Sequence, residues 1–248
     1  MDEAFFFGAG DAVFGIYHPP SQGMGTVASV ICPPLLNDYA RSYTALRSVA
    51  ISLAASGHHV LRFDYRGTGE ASGELVDVDV SDWVQDVKDA LDEVVDVSGA
   101  RVVRVLSARG GALIVGRALP GVEAVDRIVF WDPLTSGDTY VAELEKAQRQ
   151  MVDWNIDLKG RDREEAFSDL GTFRTSDRFV SDLRALGEPL DSIDQKSCRI
   201  VSTDAGMSFG SAEVRIEHVE ASCRWANLSE DLINPRPVLS ELVRAMTE

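Results

Sequence analysis

A chain of 248 residues with 45% hydrophobic content can bury a core large enough for one domain. Its formal net charge of −16 and pI near 4.6 oppose binding to nucleic acid or to an anionic membrane surface, both of which repel an acidic protein. No stretch approaches the ~20 apolar residues that cross a bilayer, and Cys32, Cys198 and Cys223 fit neither a disulfide framework nor a zinc site. A reducing, cytoplasmic setting is therefore the expectation, with no metal and no cofactor. The opening MDEAFFFGAGD is acidic and its apolar run is short, unlike a secretory signal.

Short apolar runs rich in β-branched and aromatic residues alternate with segments of helical period. That alternation is the pattern of a mostly parallel sheet with helices on both faces. Strands are predicted at residues 4–8, 12–18, 26–32, 59–65, 101–106, 127–131, 198–203 and 213–219. Gly8, Gly10 and Asp11 between the first two suit an antiparallel hairpin. Leu46, Val49, Ala50, Leu53 and Ala54 share one helix face ahead of Gly57, which is placed as a left-handed C-cap. A second crossover helix is expected to start near Ser81 as its N-cap, with Val80, Trp83, Val84, Val87, Leu91 and Val94 on one side. Residues 134–190 break the rhythm and read as an inserted helical lid, with helices over 140–152 and 178–186 and a polar surface loop over 159–165. A last helix over 238–246 follows Pro235 and Pro237.

The strand over 101–106 runs into Ser107, Ala108, Arg109, Gly110 and Gly111, then into an apolar helix over 112–119. A strand-to-helix turn that displays a nucleophile needs small residues two before and two after its centre, so that strand and helix can approach. Ser107 and Gly111 meet that need for a centre at Arg109. A centre at Ser107 would put Val105 and Arg109 at the tight positions instead. Arginine keeps its proton in a protein and cannot attack a carbonyl. Two readings of Arg109 stay open. Its planar fork binds a carboxylate or phosphate beside the N-terminus of the following helix, or it pairs with a local acid, Asp132 or Asp204, and fills an inert site.

In the chain order nucleophile, acid, histidine, Asp204 stands where the acid is expected, although an ordinary turn residue would look the same. The loop Ala221-Ser222-Cys223-Arg224-Trp225, where the histidine belongs, contains none. His218, the one histidine downstream, falls inside a predicted strand, and His18, His58 and His59 come too early and read as structural. Oxyanion donors are sought in the loop over 32–38, where Pro33 and Pro34 lack amide hydrogens and Leu35 keeps one, as does Gly110. The catalytic-position candidates are thus Arg109, Asp204, His218 and Ser107, and the oxyanion or substrate-binding candidates are Pro34, Leu35, Gly110 and Asp132. Cys32 reads as a buried structural thiol, with a displaced nucleophile as the alternative. Gly67-Thr68-Gly69 follows a strand without opening a helix, so no dinucleotide site is expected.

Several further stretches carry a family resemblance: Tyr17-His18-Pro19-Pro20, Cys32-Pro33-Pro34, Asp38-Tyr39 with Arg41-Ser42, and the run from His59 to Gly73, whose part from Phe63 on is the most specific. Trp83-Val84 with Asp86, Trp131-Asp132-Pro133 with Gly137 and Tyr140, and Asp169-Leu170-Gly171 extend it over most of the chain. On these residues the chain resembles the serine aminopeptidase-like branch of the α/β-hydrolases, and within it the hydrolase-like proteins found with exosortase systems. That group is similar in carrying a Gly-x-Arg-x-Gly elbow, from which this chain departs by Ser107 at the first position. The resemblance implies an α/β-hydrolase fold: one domain over 1–248, an eight-stranded mostly parallel sheet with helices on both faces, and the lid at 134–190. It also implies ester, amide or acyl-transfer ancestry.

Three functions stay open. The first is a non-catalytic or catalytically altered member that binds an acidic small molecule, or an acyl, peptide or glycan group, under the lid, with Arg109 as anchor and Asp132 and Asp204 orienting it. The second is an active esterase, amidase or acyl transferase with a displaced nucleophile, Ser107 or Cys32, using Asp204 and His218. The third is a partner of another enzyme of its pathway, or a homodimer. Neither nucleic acid nor membrane insertion is expected.

Overall fold

A computed structural model of the chain describes residues 2–21, 25–154, 170, 173–209, 214–225 and 232–248. The strands are β1 (Glu3–Phe7), β2 (Val13–His18), β3 (Val27–Cys32), β4 (His59–Asp64), β5 (Val102–Ala108), β6 (Val125–Trp131), β7 (Cys198–Ser202) and β8 (Arg215–His218). They form one sheet in the order β1-β2-β4-β3-β5-β6-β7-β8. β2 runs antiparallel to both of its neighbours, and every later pair is parallel. The eight predicted strands are all present, in the α/β-hydrolase order, and the predicted residue 213 lies outside the described residues.

Among the described residues the α-helices are α1 (Asn37–Ala55), α2 (Val80–Ser98), α3 (Gly111–Ala118), α4 (Gly137–Trp154), α5 (Asp177–Arg184) and α6 (Arg236–Thr247). Successive residues of the central strands enter opposite cores: Ile128 and Phe130 of β6 pack with α2, α3, α4 and α5, while Val129 and Trp131 pack with α1 and α6. This period-two alternation is why both faces of the central strands had to be apolar. The chain leaves β3 through α1 to reach β4 on one side, then returns through α2 to β5 on the other. Two crossovers departing in opposite directions open a crevice at the carboxyl ends of β3 and β5, where sheets of this kind present their sites.

One local expectation needs correcting. The N-cap of α2 is Asp79 rather than Ser81, because Asp79 and Asp82 form a reciprocal capping box in which the Asp79 amide donates to Asp82 Oδ2 at 2.8 Å. Helix α1 reaches back to Asn37, taking the buried Asp38, Arg41 and Ser42 into its first turns. Between β6 and β7, α4 and α5 stand where the inserted helices were predicted, and the polar loop over 159–165 lies outside the described residues. Among the described residues no helix is long and apolar enough to cross a membrane.

Candidate functional site

Strand β5 ends at Ala108, and Arg109 makes the turn into α3 with a left-handed φ of 50°. The Arg109 amide donates to the Trp131 carbonyl at 3.0 Å, which ties the apex to the end of β6. A side chain at Gly111 would press against the Pro33 carbonyl oxygen and come within 2.7 Å of Ser107 Oγ, so only glycine lets strand and helix close there. Leu36 and Asp132, at 52° and 42°, are further non-glycine residues with left-handed φ, and both flank this turn. Such backbone is costly for residues with a Cβ and collects at sites that are over-determined by their surroundings.

The Arg109 guanidinium is buried, with the residue 8% exposed. Its Nη2 donates to Glu143 Oε2 of α4 at 2.5 Å, and its Nε lies 3.5 Å from Asp38 Oδ2 at the start of α1. One face sits over the Trp225 ring, with the guanidinium carbon 5.6 Å from the ring centroid. The expected partners are thus corrected: Asp132 and Asp204 do not pair with Arg109, because α1 and α4 bring their own carboxylates to its fork. Burial pushes the Asp38 carboxyl up to about 6, against the downward pull of Arg109 and Arg41 and with a smaller upward push from Glu143.

Asp132 is fully used elsewhere. Its Oδ1 accepts from the Thr203 amide at 2.7 Å and from Ser202 Oγ at 3.1 Å, and its Oδ2 accepts from Thr203 Oγ1 and from Trp225 Nε1, each at 2.8 Å. Trp225 follows β8, packs edge-on to Trp131 with ring centroids 4.9 Å apart, and is held from behind by Arg41, whose Nη1 and Nη2 donate to the carbonyls of Trp225 and Arg224. An arginine, an indole and a carboxylate therefore stand in the order apex, ring and acid. The indole N–H is the donor that ties this ring to Asp132. An indole is a donor only and cannot take a proton from a nucleophile.

The other candidates are placed as follows. Asp204 is exposed and its Oδ1 accepts from the Gly206 amide at 2.8 Å, the bond of a turn residue, although it borders the same cavity as Arg109. His218 is exposed at the end of β8 and does not line that cavity, so the expectation of a catalytic histidine there is not met. Ser107 is fully buried at the end of β5, opposite Cys32 in the neighbouring strand, and burial pushes the Cys32 thiol well up. Neither presents a displaced nucleophile to solvent. Pro34 and Leu35 are buried, and the Leu35 carbonyl accepts from Tyr140 Oη of α4 at 2.8 Å. A Cβ at Gly110 would lie 3.1 Å from both Leu35 and Tyr140, so this side of the turn is filled.

Beside Arg109 a cavity of about 360 Å³ opens between the ends of β6, β7 and β8, lined by Asp132, Thr203, Asp204, Met207, Ser222 and Trp225 among others. Cys223 also borders it, and burial followed by the charge of Asp132 pushes its thiol up to about 12. None of the four histidines lines it. Among the described residues no cluster of histidine, cysteine and carboxylate side chains could hold a metal. Sequence reasoning missed Glu143, Tyr140 and Arg41 as site residues, and it read the loop of Trp225 only for a histidine that it lacks. Asp38, Arg41 and Tyr140 stood inside the stretches that carried the family resemblance. Glu143 gave no signal, because a carboxylate on an amphipathic helix looks like any solvated one.

The family described as serine aminopeptidase, S33, matches residues 34–163, more than half of the chain. The rat protein named palmitoyl-protein thioesterase ABHD10, mitochondrial, is 27% identical over 128 residues, covering 49% of this chain and 42% of the relative. Its mouse counterpart is 31% identical over 93 residues, covering 37% of this chain and 30% of the relative. The matched stretches thus span less than half of either relative. Among solved structures, a hydrolase from Agrobacterium vitis S4 superposes with a TM-score of 0.62 at 16% identity, covering 100% of this chain and 99% of that one. Mouse alpha/beta hydrolase domain-containing protein 10 superposes with a TM-score of 0.51 at 18% identity, covering 81% and 77%. At these identities the likeness establishes the fold.

Proposed function

Because the chain belongs to the serine aminopeptidase, S33, family of α/β-hydrolases, we propose that it is a member in which acyl-enzyme chemistry has given way to ligand binding. The observation that carries this reading is Arg109 at the left-handed apex, neutralised by Glu143 and Asp38 and backed by an indole instead of an imidazole. A permanently protonated guanidinium cannot attack a carbonyl, and Trp225 cannot activate a hydroxyl or water in its place.

The ligand enters the cavity between Arg109 and Asp204. Its volume, about 360 Å³, is in the range that encloses a small molecule. Met207, Ala221 and the Trp225 ring supply apolar wall, and Thr203 and Ser222 supply hydroxyls. An acyl or peptide group suits this lining better than an acidic small molecule, since the charge of Arg109 is already met by two carboxylates and Asp132 and Asp204 add negative charge. The relatives named as palmitoyl-protein thioesterases support an acyl group as the ligand class. Helix α4 covers the turn through Tyr140 and Glu143, the role expected of a lid.

Labelling with a fluorophosphonate probe tests the loss of the nucleophile. The wild type is expected to remain unlabelled and to leave p-nitrophenyl esters intact. Arg109→Ser alone should remain unlabelled for want of a base, whereas Arg109→Ser combined with Trp225→His should take up the probe, because Asp132 is already in place to orient the new imidazole. Labelling of the wild type that disappears in Ser107→Ala or Cys32→Ala would overturn the reading.

A further inference from the structure

We propose that a second site, on the α1 face of the sheet and apart from the elbow, binds a small amino-carboxylate zwitterion through Arg62. A cavity of about 190 Å³ lies there between β2, β4 and the start of α1, bordered by Phe14, Tyr39, Tyr43, Arg62, Asp64 and Glu70 among others. Arg62 projects from β4 and is only 6% exposed. Its Nε donates to His18 Nε2 at 3.2 Å, and its guanidinium carbon lies 5.1 Å from the centroid of the Tyr43 ring. Among the described residues no carboxylate comes within 4.0 Å of this guanidinium, and its two Nη atoms have no hydrogen-bond partner.

His18 does not offset the charge. It is buried, its Nδ1 faces Asp2 at 3.0 Å, its Nε2 accepts from Arg62, and burial, with Arg62 next, lowers its pKa. Arg62 thus lacks, among the described residues, the direct carboxylate contact that Arg109 and Arg66 of this chain each have. The free fork of Arg62 opens on the cavity, and a ligand carboxylate would meet it through parallel N–H···O bonds.

The opposite charge sits at the other end. Asp64 lies two residues further along β4 on the same face, roughly 6.6 Å away along the strand. Tyr39 Oη donates to its Oδ1 and the Glu70 amide to its Oδ2, which holds the carboxylate in place, and the exposed Glu70 side chain stands at the rim. A cation and two anions across a small aromatic-walled cavity fit a molecule with a carboxylate and an ammonium group on one short, apolar frame. A simple anion would satisfy Arg62 and be repelled by Asp64 and Glu70.

Isothermal titration of the intact chain with leucine, N-acetylleucine and leucinamide tests the assignment. Leucine is expected to bind, and each blocked derivative at least about tenfold more weakly. Arg62→Lys should weaken leucine by about tenfold, because an ammonium lacks the planar fork. Glu70→Gln, at an exposed position that leaves the fold intact, should narrow the gap between leucine and N-acetylleucine. No leucine binding at about 10 mM, equal affinity for leucine and leucinamide, or an unchanged preference in Glu70→Gln would each overturn the proposal, even if Arg62→Lys failed to fold.

Discussion

Arg109 and Asp38 show how little of a buried charge can be understood from one residue. The guanidinium is held between carboxylates from two helices, and of those carboxylates Asp38 is itself almost wholly removed from water. Burial is the largest influence on Asp38 and raises its pKa from 3.8 to about 6, so between those values the folded chain holds a proton that the unfolded chain has released. Stability linked to this group is therefore fully present below pH 3.8 and is lost as pH rises through about 6. Asp38→Asn lacks the titration. Urea unfolding of the two proteins across that window should show the wild type losing on the order of 2–3 kcal/mol relative to Asp38→Asn as pH rises. A difference that stays constant with pH would mean that Arg109 holds Asp38 ionised throughout.

The turn between β5 and α3 is an element whose geometry rests on what is missing from Gly111. With no Cβ, the first turn of α3 approaches Pro33 of the neighbouring loop, and that approach fixes where the Arg109 side chain emerges. Gly111→Ala is expected to cost about 1–3 kcal/mol in urea unfolding, since the methyl group meets backbone that cannot swing aside. A cost near zero would show the turn to be looser than its contacts suggest. This element was legible in the sequence because its requirements are local: small residues around a centre, an apolar strand before it and an apolar helix after it. The cap of α2 was less legible. Asp79 and Ser81 both have the chemistry of an N-cap, and only the backbone path selects the one whose side chain reaches the third amide. The interior alternation was hidden where the central strands are covered on both faces, because stretches such as Val30–Cys32 of β3, Val105–Leu106 of β5 and Ile128–Trp131 of β6 are apolar at consecutive positions.

For the molecule as a whole, the charge of −16 is spread over a surface where many basic residues already sit in ion pairs, such as Arg184 with Asp138 and Glu145 or Arg244 with Glu241 and Glu248. Exposed pairs of this kind contribute little each, whereas the excess of carboxylates repels itself over distances that salt shortens from about 30 Å to 8 Å between 0.01 and 0.15 M. Thermal unfolding is therefore expected to move to higher temperature as sodium chloride is raised over that range. A fall in Tm would show that local pairing outweighs the global repulsion.

What the amino-acid sequence determined by itself was everything that depends on neighbours along the chain: the order and type of the strands, the crossovers, and the strand-to-helix turn with Arg109 at its apex. What only the tertiary structure decided was the company that Arg109 keeps. Asp38, Glu143 and Trp225 belong to separate elements that meet only when α1, α4 and the loop after β8 pack over the ends of the strands. Asp132 was visible as an acid near the site, but its bond to an indole rather than to Arg109 is a matter of which donors the packing of β7 and the loop after β8 brings to its oxygens. The physical reason is range: hydrophobic period and turn sterics act within a few residues, whereas the pairing of buried charges is settled by side chains brought together from distant parts of the chain.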